Sequence, residues 1–297
     1  MPIFTLALSL LVLSQSAIFV RTAAAHAVAI GFWRMAIAVP VLGLLLLWRG
    51  HGPAIRALKP RQWLLFILCG FFLFAHFYTW FLSAQRTSLA HSMILFCTNP
   101  LYTAIGAYFF FGERASLRHL LALSLCFTGI CFLLSDKGGA ATLEGDLLGV
   151  ACAVLFSAYV LVSKGLRARL DNVPFAFVTY TACLGFFFAA MITIGLPFFD
   201  YGPQAWASFA ALAFGSTLLG HSLFTYCLHF FHVNLLSIST LVEPVFTAIS
   251  AYYFFGEPIT AAGMLGFGLV GVGILALYFP YLRAKVRKPG MPPGVDP

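Results

Sequence analysis

Residues 98–116 read TNPLYTAIGAYFFFGERAS, and residues 242–260 read VEPVFTAISAYYFFGEPIT. At an offset of 144, ten of the nineteen positions are identical, ending in a shared FFGE: Pro100/Pro244, Thr103/Thr247, Ala104/Ala248, Ile105/Ile249, Ala107/Ala251, Tyr108/Tyr252, Phe110/Phe254, Phe111/Phe255, Gly112/Gly256 and Glu113/Glu257. Chance matching in apolar sequence gives a few identities but no such run. The chain therefore contains one unit twice, and the length of that unit decides the fold.

Around the two copies the chain is almost uncharged. Of 297 residues, 61% are hydrophobic and 9% charged, where a soluble domain carries about 25% charged residues. So few charges cannot cover a globule in water, and a disordered chain would be more polar still. Apolar runs fall at about 3–20, 26–48, 63–84, 89–111, 118–135, 146–164, 173–196, 204–228, 233–255 and 260–281, each near the roughly 20 residues a bilayer span requires. Uninterrupted runs of this length are helices, because hydrocarbon offers the backbone no other partner. A transmembrane barrel would alternate polar and apolar residues over about ten positions per strand. The predicted fold is an all-α polytopic membrane protein of ten transmembrane helices.

Five spans lie in each copy. An odd number inverts the second copy relative to the first, and inverted-topology repeats characterise transporters. The expected organisation is a first five-helix repeat over 1–136, an outer linker over 137–145, a second repeat over 146–282, and a basic, then Pro/Gly-rich, disordered tail over 283–297. Residues 3–20 are read as the first span rather than a cleaved signal, since no Lys or Arg precedes them.

The charge distribution gives an orientation. With both termini cytoplasmic, 13 of the 17 basic residues fall on the inner side and Arg21, Arg86 and Lys137 on the outer, while Arg34 lies within a span. That bias follows the positive-inside rule. It explains the net charge of +8 without a nucleic-acid partner. The seven cysteines all lie inside apolar runs without a CxxC pair, so they read as small buried side chains. No metal site, cofactor or enzyme motif is expected.

The two copies resemble the drug/metabolite transporter superfamily, and within it the ten-helix EamA-type exporters. The residues that carry the resemblance are Asn99, Pro100, Ala104, Ala107, Gly112 and Glu113 in the first half. Glu243, Pro244, Ala248, Ala251, Gly256 and Glu257 carry it in the second. The resemblance implies an inner-membrane, multi-pass exporter of amino acids or other small metabolites.

Two charges mark a candidate site. Arg34 lies eight residues into its span and Glu243 ten residues into its own, about 12 and 15 Å deep at 1.5 Å per residue. A charge at such depth costs about 2.5–3.5 kcal/mol on insertion scales, so each needs a partner or a wet cavity. Both a central substrate site and a structural Arg34–Glu243 pair satisfy that requirement. Asn99, the repeat mate of Glu243, joins the candidate site. Pro100 and Pro244 should kink their helices by freeing the carbonyls of Phe96 and Thr240. His76 and His221, at an offset of 145, are candidates for the cavity or a proton relay. Trp33, Tyr78, Trp80, Tyr102, Tyr159 and Tyr226 are candidates for its wall. Tyr78 and Trp33 are preferred because they adjoin His76 and Arg34. Small residues at spacing four, and the glycines Gly263, Gly266, Gly268, Gly271 and Gly273, predict close helix packing. The expected partners are a small-molecule substrate, the lipid bilayer and protons. The competing readings are a lipid-processing membrane enzyme, a channel, or an uptake carrier or uniporter of the same fold.

Overall fold

The computed structural model describes residues 2–87, 89–135, 142–256 and 258–287. Most of the expected linker (Lys137 to Ala141), Glu257 and the tail from Lys288 onward lie outside the described residues.

Apolar stretches become helices wherever the backbone has no water to turn to. Along the chain these are α1 (Pro2–Ser14), α2 (Ser16–Ala23), α3 (Ala27–Trp48), α4 (Gly52–Arg56), α5 (Pro60–Arg86), α6 (Leu89–Phe96), α7 (Asn99–Phe111) and α8 (Leu117–Leu134). Then follow α9 (Leu143–Arg167), α10 (Asn172–Ile194) and α11 (Pro203–Ala211). A π-helical segment (Leu212–His221) leads into α12 (Ser222–Cys227). The chain continues through α13 (Val233–Ser239), a 3-10 turn (Thr240–Val242), α14 (Glu243–Phe255) and α15 (Ala261–Arg287). Several of these join end to end. Among the described residues nine helical stretches are long and apolar enough to cross a membrane, and the apolar part of α8, Leu117–Phe132, is a shorter tenth. The protein is a ten-helix polytopic membrane protein.

The repeated FFGE sequence ends a helix in both halves. Gly112 and Gly256 take φ of +68° and +66°, a left-handed turn that glycine adopts without a Cβ clash. The amides of Gly112 and Glu113 then donate to the carbonyls of Tyr108 and Ala107, closing the last turn of α7. Polar side chains start other helices. Thr142 Oγ1 accepts from the Gly145 amide at 3.1 Å, and Ser116 Oγ accepts from the His119 amide at 3.4 Å, each satisfying a donor that the first turn leaves free.

Helix pairing follows the repeat. α3 packs on α10, α7 on α13 and α8 on α15, each pair joining corresponding spans of the two halves. α1 packs on the π-helical segment as α9 packs on α5, again a related pair. The α8–α15 contact depends on glycine: a Cβ on Gly273 would lie 2.6 Å from Cys126 Sγ, and one on Gly129 would lie 2.7 Å from the Gly266 carbonyl. Backbones approach this closely only where small residues line the contact.

The two ends of the bundle differ. Arg49, Arg56, Lys59, Arg61, Arg114, Lys164 and Arg167 lie at the one called here the basic end. There Lys164 Nζ donates to the carbonyls of Leu228 and Phe231 at 2.7 and 2.8 Å, beyond the C-terminus of α12. At the opposite end Arg86 pairs with Glu144, and Thr87 Oγ1 donates to Asp146 at 3.0 Å.

Candidate functional site

The first span does not run straight. The sequence Ser14-Gln15-Ser16 interrupts it between α1 and α2, and the break is clamped from α14. Thr247 Oγ1 donates to the Ser14 carbonyl at 2.9 Å, and Ser250 Oγ donates to Gln15 Oε1 at 2.8 Å. Hydroxyls and a side-chain amide thus hold a backbone that would otherwise be left unsatisfied.

The fourth and ninth spans also break, and the prolines sit at the breaks. Pro100 and Pro244 begin α7 and α14 as first-turn residues, where a missing N–H costs nothing. The kink expected from the sequence takes the form of a short change of pitch: a turn at Cys97–Thr98 in the fourth span and the 3-10 turn Thr240–Val242 in the ninth. The Phe96 carbonyl accepts from Asn99 Nδ2 at 3.0 Å, and that of Thr240 accepts from the Glu243 amide in the 3-10 turn. Neither carbonyl is left free.

In the eighth span the interruption is of pitch. Ten residues, Leu212–His221, are π-helical. The Thr217 hydroxyl donates to the Leu212 carbonyl at 3.0 Å, five residues back, and the Ser222 hydroxyl to the Thr217 carbonyl at 3.2 Å, again five back. A π segment turns more residues per cycle onto one face, and such segments are frequent at functional sites. Here it presents Thr217 and His221 toward the bundle centre.

These interruptions surround a cavity lined by Leu13, Ser14, Ser16 and Ala17 of the first span, Arg34 of α3, and His76, Phe77 and Trp80 of α5. Met93 and Phe96 of α6, Phe156 of α9, His221, and Glu243, Pro244 and Thr247 of α14 complete it. Its volume for water centres is about 60 Å³, room for a handful of waters at about 10–15 Å³ each. Both halves of the chain contribute to it.

Arg34 is fully buried. Nε donates to Thr217 Oγ1 at 2.9 Å, and the guanidinium lies over the Phe77 ring, 4.0 Å from its centroid. Nη1 and Nη2 have no hydrogen-bond partner. His76 Nδ1 lies 3.2 Å from the Cys152 carbonyl. The Cys152 thiol lies at the same 3.2 Å from Nδ1, so Cys152 anchors the ring in either tautomer. His221 packs edge-on to Phe77 at 5.1 Å, and its Nδ1 is buried without a partner. Glu243 opens α14 and remains partly accessible. Arg34 and Glu243 line the same cavity but form no ion pair with each other, so the structural pair weighed from the sequence is not made.

Of the residues singled out in the sequence, Arg34, His76, His221, Glu243 and Pro244 meet at this cavity, with Trp80 in its wall. Seven others lie outside its lining: Asn99, Pro100, Trp33, Tyr78, Tyr102, Tyr159 and Tyr226. Asn99 belongs to a buried polar knot between the fourth, sixth and ninth spans. Its Oδ1 accepts from Ser237 Oγ at 2.6 Å and its Nδ2 donates to Thr240 Oγ1 at 3.3 Å. Its carbonyl accepts from Ser157 Oγ at 2.9 Å. Pro100 follows it at the head of α7. Trp33 Nε1 donates to the Phe198 carbonyl at 2.8 Å, and its ring packs on Trp206 at 4.5 Å. Tyr78 stacks on Phe74, with centroids 6.0 Å apart. Ser14, Ser16, Phe77, Thr217 and Thr247 were not singled out from the sequence. The polar triplet Ser14-Gln15-Ser16 in an apolar run was the available signal for the first two.

A ten-helix bundle with broken spans around a shared central cavity defines a class, that of membrane transport proteins built from repeated helical units. The model of the EamA-like transporter family matches residues 1–135 and 143–279, and the chain belongs to that family. Similar proteins include two uncharacterized transporters of Archaeoglobus fulgidus. One is 28% identical over 64% of this chain and 67% of its own length. The other is 25% identical over 85% of this chain and 88% of its own. An uncharacterized transporter of Synechocystis sp. is 24% identical over 74% of this chain and 68% of its own. A solved crystal structure, 20% identical, superposes with a TM-score of 0.77 over 94% of this chain and 97% of that one, a likeness of fold.

Proposed function

We propose that the chain is a secondary transporter that exports small amphiphilic metabolites, amino acids among them, across an inner or plasma membrane. The two five-helix halves rock about the cavity and expose it to one side at a time, and the basic end faces the cytoplasm. The observation that supports this reading most strongly is the meeting of Arg34, His76, His221 and Glu243 at one cavity between broken helices. Isolated charges at such depth are costly, and discontinuous helices near mid-membrane are where transporters hold cargo. Aromatic and aliphatic walls beside these groups fit a molecule with a polar head and an apolar body.

Counterflow in proteoliposomes tests the reading. Vesicles preloaded with an unlabelled amino acid should take up the labelled one faster than empty vesicles, by exchange through the cavity. A channel gives no such acceleration, and a lipid-processing enzyme alters the vesicle lipids instead. No counterflow with any member of a broad amino-acid and organic-acid panel would overturn the proposal.

A further inference from the structure

The geometry points to Arg34 as a carboxylate-binding fork: the cavity takes a molecule with a carboxylate head and an apolar body, the head seated on Nη1 and Nη2. This names a substrate class for the cavity, and it rests on the transporter reading only for what happens after binding.

Three features of Arg34 lead there. The side chain is fully buried and is fixed from two directions, by the Nε bond to Thr217 and by the Phe77 face beneath it. Those contacts use one of its five N–H donors. The other four, on Nη1 and Nη2, have no partner. A buried cation with unmet donors is among the costliest arrangements in a protein. The carboxylate that shares the cavity, Glu243, does not pair with it. A planar fork held rigid and left unsatisfied matches two coplanar oxygens of one ligand.

The surroundings select among oxyanions. Arg34 is the one permanent cation in the cavity lining, and Glu243 lies in the same lining. A dianion such as a phosphate monoester would lack a second fixed positive charge and would face the Glu243 carboxyl. The remaining walls are largely hydrophobic, with Phe77, Trp80, Met93 and Phe96 among them. They accept an aromatic or branched aliphatic body. A monocarboxylate with such a body satisfies both the fork and the walls.

The test uses isosteric pairs with the full-length protein in nanodiscs. The probes are phenylacetate against phenylacetamide and isovalerate against isovaleramide, with phenylalanine and phenylethylamine as a third comparison. Binding is read by tryptophan fluorescence, with Trp80→Phe marking the cavity signal, and by the shift in thermal midpoint. The acids should bind about a hundredfold more tightly than their amides, as expected when a desolvated charge contact is lost. Phenylalanine should exceed phenylethylamine by a similar factor. Arg34→Lys keeps the charge and removes the fork, so it should erase most of the preference for acids. The isosteric comparison on the unaltered protein stands even where that variant fails to fold. Equal binding of acid and amide, or no binding by any acid, overturns the proposal. Counterflow of the same probes separates the two readings: exchange of amides or amines without a carboxylate requirement leaves transport standing and removes the fork. Tight acid binding without exchange does the reverse.

Discussion

A single carboxyl or guanidinium in an apolar segment has few ways to be tolerated, and the cavity shows which way each residue takes. Glu243 makes no ion pair and sits where helix α14 begins, so little of the fold depends on its charge. Glu243→Gln keeps nearly the same volume. It should leave the folded yield and thermal midpoint close to those of the parent while uphill, pH-driven transport falls sharply. A large loss of folded protein, of the 3–5 kcal/mol size expected for breaking a buried pair, would assign the residue a structural role instead. Glu113 behaves in the opposite manner. Its Oε2 accepts from the Val233 amide at 3.0 Å, capping α13, and its Oε1 faces His232 at 3.3 Å. Glu113→Ala should lower stability by about 0.5–2 kcal/mol, the usual worth of a helix cap. His232→Ala should cost less, because that imidazole side chain is 57% exposed and exposed pairs contribute little. Thermal unfolding of the two variants side by side checks the order. At this scale the sequence shows charges well, since Arg34 and Glu243 stand out against hydrocarbon. It shows neutral polar groups poorly. Asn99 shares its repeat position with Glu243, yet partners distant in sequence, Ser157, Ser237 and Thr240, satisfy it. Trp33 and Tyr78 adjoin cavity residues in sequence, but on a helix near neighbours point in different directions.

The helices themselves divide into packing elements and site elements. α8 and α15 illustrate the first, and the contact makes a paired prediction. A Cβ at Gly273 meets Cys126 Sγ at 2.6 Å and the Ala122 carbonyl at 3.0 Å, whereas one at Gly271 meets nothing within 4 Å. Gly273→Ala should therefore cost about 1–3 kcal/mol by overpacking. Gly271→Ala should be neutral or stabilise by up to about 1 kcal/mol through helix propensity. Thermal midpoints in detergent decide it, and equal effects would mean that the α8–α15 contact is looser than described. The glycine-rich tenth span is thus legible as a packing helix, but which glycines touch a neighbour depends on helix rotation, which its uniformly apolar sequence does not mark. The site elements are less visible still. A π segment needs i to i−5 bonds but no particular residue type, so Leu212–His221 reads in the sequence like any apolar helix. Its regular counterpart in the first half, α5, shows that the repeat does not impose it.

For the whole molecule, the repeat is the most legible feature, because inverted copies must pair equivalent helices across the bundle, as α3 does with α10 and α8 with α15. Departures from that symmetry gather at the cavity: Glu243 against Asn99, a π segment against a regular α5, a broken first span against a continuous α9. On the proposed function, the symmetric scaffold would supply two exchangeable arrangements and the asymmetric residues the chemistry. That division bears on how transport is driven. The cavity lining holds one carboxylate, Glu243, and two histidines, His76 and His221. A sodium cage built from several carboxylates is absent from that lining, while a proton needs only one exchangeable group. Proton antiport is therefore the expected mode, with protons entering as substrate leaves. In proteoliposomes loaded with substrate and placed in an acidic medium containing an equal substrate concentration, efflux should proceed against the gradient that it builds. An imposed sodium gradient should drive nothing. Glu243→Gln should lose the pH-driven component and retain exchange down a substrate gradient, since its volume and hydrogen-bonding capacity survive. Uphill efflux that persists in the Gln variant would move the coupling proton to His76 or His221, and absence of uphill efflux at every imposed pH gradient would make the protein a uniporter.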